Sequence, residues 1–86
     1  MASAKTKKSI QSNRYRQMIQ RLRAARKDAG LTQSQVAAKL GQPQSFVSKC
    51  ESGERRVDAL ELERFAQLYG KPLTFFLGNK PLGAAL

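Results

Sequence analysis

Apolar residues return along this chain at intervals of three and four, the spacing of one helix face, and nowhere alternate as a half-buried strand requires. Met18, Ile19, Leu22, Ala25 and Ala29 form the first stripe, with Arg and Gln between them and Ser12 or Asn13 ahead as N-cap. Gly30 closes this predicted helix. Thr32 opens a shorter one: Gln35 stands at capping-box spacing, and Val36, Ala37 and Leu40 share a face before Gly41. Pro43 to Ser52 predicts a third helix, with Pro43 in the first turn, where its missing N–H costs nothing, and Gly53 as a left-handed C-cap. Asp58 with Glu61 repeats the capping box, and Leu62, Phe65, Ala66 and Tyr69 carry the clearest helical stripe, ending at Gly70. One or two turns between Pro72 and Leu77 complete an all-α bundle of about five short helices.

The second and third helices are joined across only Gly41 and Gln42. So short a turn containing glycine is the mark of two helices meeting at roughly 90–120°, a helix-turn-helix. Residues 1–11 are small, polar and basic and lack the apolar spacing that would offset the entropy of ordering them, so they read as a flexible arm. The domain is then 12–78, with 79–86 as a C-terminal tail.

Charge changes the picture next. A net charge of +10 on 86 residues predicts attraction to a polyanion. Nine Lys or Arg lie in residues 1–30 against the single acid Asp28, so the excess sits in the arm and first helix. The chain has no histidine and one cysteine, Cys50. That excludes an internal disulfide, leaves no ordinary zinc ligand set, and removes His-based acid–base chemistry. With no visible nucleophile–base pair either, the expectation is a binding protein with no cofactor and no metal, not an enzyme. The basic N-terminal residues are not followed by an apolar stretch of signal-peptide type, and the longest apolar runs are too short to span a bilayer. No membrane partner is expected, and the cytoplasm is the expected location.

At about 100° per residue, the third helix places Gln44, Ser45, Ser48, Lys49 and Ser52 on one side and Phe46, Val47 and Cys50 on the other. A solvated face is one meaning of this division. The other is base recognition: Gln bonds adenine through N6 and N7, Ser donates or accepts, and Lys donates to guanine O6 and N7.

The run LTQSQVAAKLGQPQSFVSKCESGERRVDALELERFAQLYG resembles the helix-turn-helix family of phage repressor and Cro proteins, the XRE-like family. The resemblance is carried by Leu31-Thr32-Gln33, Val36-Ala37, Leu40-Gly41, Ser45, Val47-Ser48, Glu51, Gly53 and the Leu62, Phe65-Ala66, Tyr69-Gly70 stripe, and covers about residues 14–78. It implies a lambda repressor-like domain whose first motif helix crosses the backbone of double-stranded DNA while the second enters the major groove. It further implies base contacts from Gln44, Ser45, Ser48 and Lys49. Phosphate contacts fall to Gln33 and Thr32 at the N-terminus of the second helix, and to Ser52, Arg55 and Arg56. Arg26 and Glu51 match a structural ion pair of the family that sets the angle of the recognition helix.

Cys50 replaces a larger aliphatic residue of the pattern and reads as a small hydrophobe, with redox sensing as the alternative. Phe46 replaces a small polar residue and is expected to pack against the fourth helix or its preceding loop, or else to meet a thymine methyl. The arm either follows the DNA backbone or minor groove or serves as a solubilising tail. Phe75, Phe76 and Leu77 have a core reading and an interface reading; a helix as short as the fifth cannot bury all three against its own domain, so at least one is expected to face a partner, and the three are the expected homodimer interface, extended by Leu82 and Leu86. Three functions stay open: a transcriptional repressor binding a palindromic operator as a homodimer, an antitoxin that binds its promoter and a protein toxin, and a nonspecific polyanion binder.

Overall fold

The computed structural model describes residues 12–78, and its regular structure is five helices: α1 (Asn13–Asp28), α2 (Gln33–Leu40), α3 (Gln44–Ser52), α4 (Ala59–Tyr69) and α5 (Leu73–Leu77). The arm, the tail, Leu82 and Leu86 lie outside the described residues.

Local chemistry accounts for most helix ends. Ser12 is the N-cap of α1, its hydroxyl accepting from the Tyr15 N–H at 3.2 Å. The capping box of α2 is complete, with Gln35 N–H on Thr32 Oγ1 at 3.1 Å and Thr32 N–H on Gln35 Oε1 at 2.8 Å. That of α4 is its equivalent, with Asp58 and Glu61 at 2.8 and 3.1 Å. Pro43 differs from expectation. It is the N-cap of α3, not a first-turn residue, because its backbone is still extended (ψ 156°) and only its carbonyl joins the helix, accepting from Phe46 N–H at 2.9 Å. The turn between α2 and α3 is made at Gly41, whose φ of +68° is a left-handed conformation that most side chains resist.

The predicted stripes meet in one core. Met18, Ile19, Leu22 and Ala25 of α1 pack with Val36, Ala37 and Leu40 of α2, Val47 and Cys50 of α3, and Leu62, Phe65, Ala66 and Tyr69 of α4. Ala29 is exposed instead, since α1 ends at Asp28 and the stripe leaves the core with it. Phe76 departs further from expectation. It is fully buried in this same core and cannot belong to an outer surface, whereas Phe75 and Leu77 on either side are 36% and 44% exposed. A five-residue helix turns one side chain inward, and Phe76 is that one.

Polar anchors hold α5 across α1. Arg14 donates to the Leu77 carbonyl at 2.7 Å, and Lys71 Nζ meets Asp28 at 2.9 Å while lying 5.1 Å from the Phe75 ring centroid. The loop after α3 is tied down at both ends. Tyr15 accepts from the Val57 N–H at 2.9 Å, and the Arg56 guanidinium lies over the Tyr15 ring. Arg55 forms a two-bond contact with Glu61 at 2.8 and 2.9 Å and covers Phe46, which stacks on Phe65 as expected for it.

Two outcomes follow. Phe76→Ala is expected to lower the unfolding free energy by about 3–5 kcal/mol, and Phe75→Ala by less than about 1 kcal/mol, in urea titrations; similar losses would contradict the placement of α5. Arg55 holds the Glu61 carboxyl below its ordinary value of 4.5, opposed by partial burial and aided by the Asp58 N–H. A depressed acid stabilises the fold above its unfolded pKa and loses that contribution as pH falls through the folded one. Thermal stability should therefore drop below about pH 4.5, and Glu61→Gln should flatten that drop.

Candidate nucleic-acid interface

Helix α3 has an anchored back and an open front. Val47 and Cys50 are buried without exposure, and Phe46 is half-buried. Burial pushes the Cys50 thiol up, against the opposing influence of Arg55, so the protonated form dominates and the residue behaves as part of the core. On the front, Gln44, Ser45, Lys49 and Ser52 are exposed and Ser48 is half-buried. The sequence division of the helix is the division in space.

The front carries no free acid because Glu51 is turned inward. Arg26 of α1 grips its carboxylate with Nε on Oε2 at 2.6 Å and Nη2 on Oε1 at 3.1 Å, while Nη1 holds the Leu31 carbonyl at 2.9 Å. The Arg26 and Glu51 side chains are 10% and 4% exposed. The Glu51 bond raises the Arg26 pKa, so the guanidinium stays charged. One cation therefore joins α1, the α1–α2 connection and the end of α3.

The pair continues to the surface. Gln33, the first residue of α2, donates through Nε2 to Glu51 Oε1 at 3.0 Å, and its own Oε1 accepts from Gln44 Nε2 at 2.6 Å. A path of polar contacts thus runs from Arg26 through Glu51 and Gln33 to Gln44, the first residue of α3. Sequence reading had Gln33 and Gln44 as independent contacts. Their mutual bond depends on how α2 and α3 cross, for which an eleven-residue separation gives no signal.

The remaining expected residues fall into two groups. Thr32 is exposed, and α2 begins beside it with the N–H groups of Gln33 and Ser34 outside the intrahelical bonding pattern. Ser52 closes α3 locally, donating to Lys49 O at 3.2 Å and accepting from Glu54 N–H at 3.3 Å. Arg55 is engaged by Glu61 and Phe46, and Arg56 by Tyr15, so the loop arginines act first as braces. The Arg55–Glu61 contact spans a loop, outside the three- and four-residue spacings by which helical pairs are found.

The Helix-turn-helix family model matches residues 22–76, the span that contains this arrangement. An XRE-family like protein from Pseudomonas syringae pv. tomato str. DC3000 has a similar solved structure, with a TM-score of 0.74 and 42% identity over 86% of this chain and 90% of that one. The chain belongs to the XRE-type helix-turn-helix family. It is a DNA-binding transcriptional regulator of that type. No curated protein matches it significantly. Among the described residues of this regulator, no helix is long and apolar enough to cross a membrane.

Glu51→Gln leaves Arg26 buried without its counter-charge, and is expected to cost about 3 kcal/mol of unfolding free energy. A chemical denaturation midpoint equal to the wild type would show that the pair does not support the fold.

Proposed function

We propose that the regulator is a sequence-specific repressor that inserts α3 into the major groove of a palindromic operator. The Gln33–Gln44 bond is the observation that carries this reading. It fixes one end of the Gln44 amide before DNA arrives, leaving Oε1 and the second N–H to accept from adenine N6 and donate to N7. Ser45, Ser48 and Lys49 follow on the same front and read the neighbouring base pairs. Phosphates are met by Thr32, by Gln33 and the open N–H groups at the start of α2, by Ser52 and by Arg56. Arg55 is left out of this set because both of its terminal nitrogens hold Glu61. Occupying an operator that overlaps a promoter is enough for repression, and the cytoplasm is where such an operator is met.

A homodimer completes the reading. Leu73, Phe75 and Leu77 expose an apolar surface on α5, at 40%, 36% and 44%. Pairing these faces symmetrically covers them and sets two α3 helices one DNA turn apart, about 34–36 Å.

Selection from random duplex DNA should return a symmetric consensus with an adenine in each half-site. Gln44→Ala should lose about 1–3 kcal/mol of binding and relax that one position. An unstructured set of selected sequences, or a Gln44→Ala protein with unchanged preference, rules out base reading by α3.

A further inference from the structure

The cations of α1 other than Arg26 are divided between two flanks. At about 100° per residue, Arg16, Gln20, Arg23 and Lys27 fall within an arc of about 60°. All four are exposed, and no ion pair among the described residues involves Arg16, Arg23 or Lys27. Arg14, Arg21 and Asp28 lie about 130° further round. That second flank belongs to α5: Arg14 holds the Leu77 carbonyl, Asp28 holds Lys71, and Arg21 Nη1 lies 3.2 Å from where a side chain would begin at Gly78. The only acid of α1 is therefore on the α5 side, and the first flank is purely cationic.

The cationic stripe borders the line of α1 that faces the loop after α3 and Glu51. Tyr15, Ile19 and Arg26 form the adjacent line on α1, and the polar ends of that line reach the loop at Val57 and the carboxylate of Glu51. Glu51 leads through Gln33 to Gln44, at the front of α3. The stripe thus continues outward from the side of α1 nearest the proposed duplex-facing surface, away from α5. From Arg16 to Lys27 it runs about 16 Å, a length over which one DNA strand presents several phosphates.

We propose that Arg16, Arg23 and Lys27 form a phosphate track that carries the DNA footprint along α1, beyond the helix-turn-helix motif itself. This rests on the reading of α3 as the base-recognising helix. The track supplies affinity without sequence preference: three unpaired cations on one stripe meet a row of phosphates at little desolvation cost, while the bases are read elsewhere. The occupant is the duplex backbone.

The test compares two charge-matched variants of the full chain on the duplex that the wild-type protein selects. Arg16→Gln/Arg23→Gln removes two charges from the stripe. Arg21→Gln/Arg64→Gln removes two elsewhere, Arg64 lying with Lys39 and Gln67 near the C-terminal end of α2. All four side chains are surface groups, and thermal melts verify that both variants fold. The stripe variant should reduce the slope of log K against log salt by about 2 per protomer, and the other by less than about 0.5, with the same selected consensus in both. Equal reductions in the two variants, or no reduction in the first, overturn the track while leaving base reading by α3 intact. A stripe variant that loses binding to phosphatidylserine vesicles but keeps its salt slope on DNA also overturns it, assigning the stripe to a lipid surface. If the wild-type protein binds no duplex, the reading of α3 fails and the track fails with it.

Discussion

Burying a carboxylate near the end of α3 is costly unless a cation goes with it, and the Arg26–Glu51 pair meets that constraint. Two parallel hydrogen bonds from a planar guanidinium, at 2.6 and 3.1 Å, fix the orientation of both side chains as well as neutralising them. The third contact of Arg26, to the Leu31 carbonyl, ties in the chain leading to α2. Three segments that pack through small apolar residues such as Ala25, Ala37 and Cys50 thereby acquire one defined relative position. Apolar contacts of that kind are non-directional and supply cohesion; the ion pair supplies angle.

The same constraint shapes the surface. With Glu51 turned inward, the front of α3 presents amide, hydroxyl and ammonium groups and no negative charge. Gln33 uses the remaining capacity of that carboxylate and passes the order on to Gln44. A side chain held in place in this way has less rotamer freedom left to lose on meeting a ligand, so order near the core is carried to the surface of α3.

The loop after α3 repeats this strategy with different chemistry. Arg55 covers Phe46 and secures Glu61, and Arg56 lies over Tyr15. Holding the loop fixes where α4 begins, and α4 supplies Phe65, against which Phe46 and hence the back of α3 is stacked. Arg16, Arg23 and Lys27, which form no ion pair among the described residues, lie along α1 on the side away from α5.

The helices, most of their caps and the sharing of α3 between core and front were legible in the amino-acid sequence. Those features follow from spacings of three and four and from capping chemistry, which act between near neighbours; the capping boxes at Thr32 and Asp58 and the stripes through Leu22 and Phe65 were legible for that reason. The Arg26–Glu51 pair was legible only through family resemblance, because twenty-five residues separate its members. Other features depend on how helices cross and come only with the packed fold: the Gln33–Gln44 bond, the pairing of Arg55 with Glu61, and the choice of Phe76 over Phe75 and Leu77 for the core. A short aromatic helix has no periodicity to say which side faces inward. Only its docking on α1, where Arg14 and Asp28 hold its ends, settles that.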